Sequence, residues 1–266
     1  MEEQKICQSN ELTEARHEMS ALEKNILYLL MCELKEDDVP QKEYCIDIAH
    51  SEFLKNVRIE DLRQAARNLL SRVYYIKKPN GNILAVTLMT VARYDQSEGK
   101  MRIRISQKLL PYLIILRDNF TELQLQVALG LKSKYSKRIY EMISQHKETR
   151  GFSISVEELK WRLALQDPQK GVDQYPNWTS FQKAVLSRSQ KELRQKSDIT
   201  FTYEAIKTGR KYTHLNFKIQ KNPSREEIKP LKGRGDKPKQ IDMFSLSSRE
   251  KAAGEEISHR KKYLID

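Results

Sequence analysis

The sequence predicts an α+β chain, mostly helical, made of two successive domains of one plan and followed by a disordered basic tail. Three observations carry this. At 266 residues the chain is long enough to bury two cores of ordinary size. Hydrophobic residues make up 39% and charged residues 32%, a balance that fits globular rather than disordered chains. One order of elements (helices, a helix with a polar face, then hairpins) occurs twice, as a repeat of architecture and not of sequence.

The clearest stretch is Trp178 to Ile219. On a helix of 3.6 residues per turn, Trp178, Phe181, Val185, Leu186, Ser189 and Leu193 gather on one side. Lys183, Ser187, Gln190, Lys191 and Arg194 gather on the other. After Ser197-Asp198 the period changes to two. Ile199, Phe201 and Tyr203 alternate with polar residues, as do Leu215, Phe217 and Ile219. Between these strands Lys207-Thr208-Gly209-Arg210-Lys211 is a glycine turn with three cations at its tip. A cationic, amide-bearing helix beside a hairpin with a cationic tip is the plan of a winged helix that grips duplex DNA.

Bulk charge agrees. Lys and Arg number 48 against 36 acids, a net charge of +12, and clustered cations gain affinity by releasing counterions from phosphate. Three cysteines, Cys7, Cys32 and Cys45, form no C-x-x-C pair, which argues for a reducing cytosol and against a disulfide frame or zinc ribbon. Apolar runs are too short to cross a bilayer, and the polar, acidic start shows no signal peptide.

Taken in order, residues 1–19 read as a flexible N-terminus. Ser20-x-x-Glu23 is a capping box before a helix striped by Leu22, Ile26, Leu29 and Leu30. Tyr44 to Ile48 reads as a short strand. A second amphipathic helix spans Ile59 to Arg72, its outer face holding Gln64, Arg67 and Asn68, with Glu60 and Asp61 nearby. Hairpins follow, one around Pro79-Asn80-Gly81-Asn82 and one around Glu98-Gly99. Ser106 to Leu116 reads as a connecting helix that tolerates Pro111 only in its first turn. Ser133 caps a helix through His146, Gly151 ends it, and Ser155-x-x-Glu158 caps another. The predicted domains are 20–118 and 119–221, with a basic tail over 222–266.

Further candidate DNA contacts are Lys134, Lys137 and Arg138. With Lys132, they cluster where a helix N-terminus disfavours cations, so an external phosphate would explain them; the alternative for Arg138 is a structural pair with Glu141 or Glu157. Arg67 on the first-half helix is set against Glu60 and Asp61, and that face meets either DNA backbone or a partner subunit. Lys207, Arg210 and Lys211 suit phosphate or minor-groove contact, or solubilise the turn. Catalysis finds little support. The five histidines are scattered without metal-ligand spacing, no phosphate loop occurs, and the His-x-His of a nicking relaxase is absent.

The chain resembles the theta-type plasmid replication initiators that bind iterons, the Rep-3 superfamily. The resemblance is clearest from Pro111 to Gln220. It rests on Asn119-Phe120-Thr121, on Leu131-Lys-Ser-Lys-Tyr135-Ser-Lys-Arg138-Ile-Tyr140-Glu141, and on Val156-Glu-Glu-Leu159-Lys160. It continues through Tyr175-x-x-Trp178-x-x-Phe181-x-x-x-Val185-Leu186, Lys191-Glu192-Leu193, Lys196-Ser197-Asp198-Ile199, Tyr203-Glu204 and Gly209-Arg210-Lys211. Residues 20 to 110 fit only in element order.

The resemblance implies two tandem winged-helix domains in a cytoplasmic, bacterial, plasmid-encoded protein. It implies iteron binding by monomers, opening of A+T-rich origin DNA, host initiator and replicative helicase as partners, and dimers that repress their own gene. No cofactor and no enzymatic activity are implied. In the tail, Gln240-Ile241-Asp242-Met243-Phe244 resembles the peptide by which replication proteins dock on the bacterial sliding clamp; a tail patch folding back on the domains is the alternative. The rival functions are a winged-helix transcriptional repressor without initiation activity and a nicking enzyme.

Overall fold

A computed structural model describes residues 4–114, 119–167 and 171–222. The first half runs β1 (Lys5–Ser9), α1 (Asn10–Glu14), α2 (Ala21–Met31), β2 (Tyr44–Asp47), α3 (Ile59–Ser71), β3 (Val73–Lys77), β4 (Ile83–Thr87), β5 (Met89–Asp95), β6 (Lys100–Ile105) and α4 (Pro111–Ile114). Ser20 and Glu23 form the capping box expected at α2, each side chain satisfying the other's backbone N–H. The connecting helix is only the turn α4, which starts at Pro111, where the missing N–H has no partner to lose. Strands β3 and β4 pair as one hairpin, while β2, β6 and β5 form a three-stranded antiparallel sheet beside α3.

The second half runs β7 (Phe120–Gln124), α5 (Leu125–Gly130), α6 (Lys134–Gln145), β8 (Gly151–Ser155), α7 (Val156–Arg162), β9 (Gln166–Asp167) and β10 (Val172–Asp173). The long helix α8 follows, comprising α-helical Trp178–Phe181, a π-helical turn Gln182–Ser187 and α-helical Arg188–Lys196. Strands β11 (Ile199–Thr208) and β12 (Lys211–Lys221) complete the sheet β11-β12-β8. Gly151 has no room for a side chain: a Cβ there would stand 2.4 Å from the Phe217 carbonyl oxygen.

Two expectations are corrected. Strand nearly equals helix, 32% against 36%, so the fold is not mostly helical; α4 is a single turn and the hairpins are longer than their alternating cores. Residues 5–19 are not a flexible lead-in. Strand β1 pairs antiparallel with β7, Lys5 opposite Gln124 and Ser9 opposite Phe120, and Ile6, Leu12, Ala15 and Met19 are buried. A strand partner more than a hundred positions away left no local signal.

The first-half helices meet α6 along a buried polar seam. Glu141 receives the Lys24 ammonium at 2.6 Å and the Tyr28 hydroxyl at 2.8 Å, and pairs with Arg138. Arg138 also donates to the carbonyls of Thr13 and Ala15 at 3.0 and 2.9 Å. Burial opposes ionisation of Glu141, but the Lys24 and Arg138 charges hold its carboxyl below the ordinary range. Such a network adds little net energy over an apolar seam, yet removing one member strands a buried charge.

Candidate nucleic-acid interface

The π-helical turn of α8 follows from side-chain spacing. Phe181, Val185, Ser189 and Leu193, four residues apart, are all fully buried. On an ideal α-helix, positions four apart drift by about 40° per step, and the wider turn at Gln182–Ser187 takes up part of that drift. Trp178 lies at the start of the same apolar stripe. On the opposite side Lys183, Ser187, Lys191 and Arg194 are exposed, in the arrangement the sequence predicts. Arg188 is exposed as well.

Gln190 departs from its expected role. Its amide donates to the Phe201 carbonyl at 2.9 Å, so it fastens helix to hairpin instead of standing free on the cationic face. Two contacts reinforce that joint. Gln182 donates to the Tyr203 hydroxyl at 3.1 Å, and Trp178 stacks on Tyr212 with ring centroids 4.2 Å apart. Helix and hairpin are therefore held together as one surface.

The hairpin tip is tighter than the five-residue loop expected. Thr208 pairs with Lys211 across Gly209-Arg210, and Gly209 takes the positive φ of 63° that this turn requires. Arg210 and Lys211 are exposed, and Lys207 lies over the Tyr212 ring at 4.6 Å. The helix that carries the exposed cations is thus fastened to a hairpin with a basic tip.

Lys137 and Arg138 do not belong to this surface. Lys137 is fully buried and donates to Asn25 at 2.6 Å and to the Ala128 carbonyl. Burial, reinforced by the Lys24 charge, pushes its ammonium down to about 7. Arg138, of the two structural partners considered, takes Glu141. The expected external anion is also unnecessary: Glu192 of α8 accepts the backbone N–H groups of Lys132 and Ser133 at the start of α6. Lys134, half-buried, is 3.6 Å from Glu18. Arg67 is exposed on α3 but paired with Glu60 at 2.9 Å. The peptide Gln240, Ile241, Asp242, Met243, Phe244 lies outside the described residues.

Fold and surface together define a class: two helix-and-hairpin halves, the second presenting a cationic helix with a basic wing. Comparison with known proteins narrows it. Residues 5–144 match the family description "Initiator Replication protein, WH1" and residues 155–219 match "Initiator Rep protein, WH2". The chain therefore belongs to the Rep-3 initiator replication protein family and carries its two winged-helix domains. It is similar to the PI protein of Escherichia coli, 27% identical over 176 residues that cover 62% of this chain and 57% of that protein. An uncharacterized 27.6 kDa protein of Escherichia coli is 23% identical over 226 residues, covering 77% of this chain and 91% of its own length. The alignment thus spans little more than half the PI protein. Among the described residues no helix is long and apolar enough to cross a membrane.

Proposed function

We propose that this chain is a plasmid replication initiator that binds direct repeats at its origin sequence-specifically. Helix α8 lies in the major groove, where Lys183, Ser187, Lys191 and Arg194 meet base edges or phosphates. The wing residues Lys207, Arg210 and Lys211 hold the flanking backbone or minor groove. Lys134 and Arg67 add phosphate contacts once their present acidic partners give way. The observation that carries this reading is the exposure of the four α8 side chains on one side of a helix fastened to a basic hairpin.

Binding energy, not a cofactor or nucleotide hydrolysis, opens the adjacent A+T-rich DNA, where the host initiator and replicative helicase assemble. Dimers repress the initiator's own gene. The Gln240–Phe244 peptide docks on the sliding clamp by placing glutamine and two apolar side chains in a preformed pocket; clamp binding equal for that peptide and its Phe244→Ala version would remove this element.

Origin opening separates initiation from repression alone. Permanganate probing of supercoiled origin plasmid should reveal unpaired thymines beside the repeats when the protein and host initiator are added. Protected repeats without unpaired thymines or helicase loading would leave a transcriptional repressor. A covalent phosphotyrosyl adduct with Mg²⁺ would instead identify a nicking enzyme.

A further inference from the structure

Glu192 is an acid on the helix that carries Lys191 and Arg194, where a free carboxylate would repel phosphate. Its two oxygens are engaged elsewhere. Oε1 accepts the Lys132 backbone N–H at 2.6 Å and Oε2 accepts that of Ser133 at 3.2 Å. Lys196, one turn along, donates to Glu192 at 3.0 Å and to the Gly130 carbonyl at 3.0 Å. Partial burial would raise the carboxyl, but the Lys132 N–H and the Lys196 ammonium hold it below the ordinary range. Beside this contact Ser136 of α6 and Ser189 of α8 meet at 3.4 Å, both fully buried.

The place of this contact matters because of the π-helical turn. A change of helical twist at Gln182–Ser187 means that burial of Phe181 alone does not set the rotation of Arg188–Lys196 about the helix axis, which the buried Ser189 and Leu193 also help to fix. That segment needs anchors of its own. Gln190 supplies one through Phe201, and Asn222 another by donating to the Arg194 carbonyl at 2.8 Å. Glu192 is the charged anchor, and it lies between Lys191 and Arg194 in sequence.

We propose that Glu192 is a positioning residue for DNA reading: by gripping the start of α6 it fixes the rotation that turns Lys191 and Arg194 outward together. This rests on the reading of α8 as the DNA-facing helix. A bystander acid and a positioning acid give opposite signs. Removing a bystander's negative charge strengthens binding to all DNA alike, through phosphate attraction. Removing the anchor weakens cognate binding, because two directional contacts lose their common aim, while binding to random DNA holds or rises.

The experiment compares wild type, Glu192→Gln and Glu192→Ala, as full chains, on a duplex bearing the origin repeat and on a scrambled duplex. Glu192→Ala should lower cognate affinity roughly tenfold, the scale of a lost charged hydrogen bond, with scrambled-duplex affinity equal or higher. Glu192→Gln, which keeps shape and one acceptor, should fall in between; it carries the test alone if the alanine variant unfolds. In the Glu192→Ala background, or the Glu192→Gln background if need be, Arg194→Ala should cost distinctly less than in wild type, the mark of coupled residues. Cognate and scrambled affinities rising together, or a full Arg194→Ala cost in the variant, would overturn the proposal. Wild type without preference for the repeat would instead sink the DNA reading, a separate failure.

Discussion

Arg194 and Lys191 are exposed on α8 with no acidic side chain in hydrogen-bond reach among the described residues, so each is available to a guanine edge or phosphate. Replacing either by Ala should cost about 1–3 kcal/mol of cognate binding if it reads a base, measured by fluorescence anisotropy on cognate and random duplexes. Lys211→Ala should weaken both duplexes alike and reduce the salt slope by about one unit. Lys24 belongs to the opposite case, a charge wholly inside. Lys24→Met leaves Glu141 with less compensation and should lower unfolding free energy by about 3–5 kcal/mol in urea titration; an effect below about 1 kcal/mol would show that Arg138 and Tyr28 alone satisfy the carboxylate. Exposure could be read from sequence for Lys183, Ser187, Lys191 and Arg194 because apolar neighbours at helical spacing fixed the opposite face. It could not be read for Lys137 and Arg138, whose partners Asn25, Thr13 and Ala15 lie over a hundred positions away.

At the scale of elements, capping and turn chemistry were legible because they are local. Ser20, Ser133 and Ser155 cap the helices assigned to them, and the hairpins at Gly81, Gly99 and Gly209 turn where glycine permits positive φ. The pairing of β1 with β7 and the π-helical turn in α8 were not legible: one depends on distant pairing, the other on how four buried side chains share a core. Gly151 marks a close approach rather than a simple helix stop. Gly151→Ala should destabilise the sheet β11-β12-β8 by about 1–3 kcal/mol through overpacking against Phe217, visible as a lowered urea midpoint; an unchanged midpoint would mean that β8 shifts at no cost.

On the scale of the whole molecule, a buried charged seam ties the first-half helices to α6 inside the stretch, residues 5–144, that matches the first winged-helix domain. His17 is buried there, stacked on Tyr74 with centroids 4.2 Å apart. Burial, followed by the Arg138 and Lys24 charges, holds its imidazole well below the ordinary 6.5. Below pH 6.5 the unfolded chain therefore takes up a proton that the folded chain refuses, and stability falls as pH falls. The slope should approach about 1.4 kcal/mol per pH unit. His17→Phe, which keeps a ring against Tyr74, should flatten urea midpoints between pH 6.5 and pH 5; an equal slope in the variant would place the titration elsewhere.

All of this converges on one contact, between duplex DNA and the surface made by α8 and its wing. Nuclease footprinting of the purified chain on its own plasmid tests it most directly. The prediction is a ladder of evenly spaced, protected direct repeats that disappears when Lys183, Lys191 and Arg194 are replaced together by alanine in a chain that still folds. Protection without repeats, or repeats equally protected by the triple variant, would contradict it.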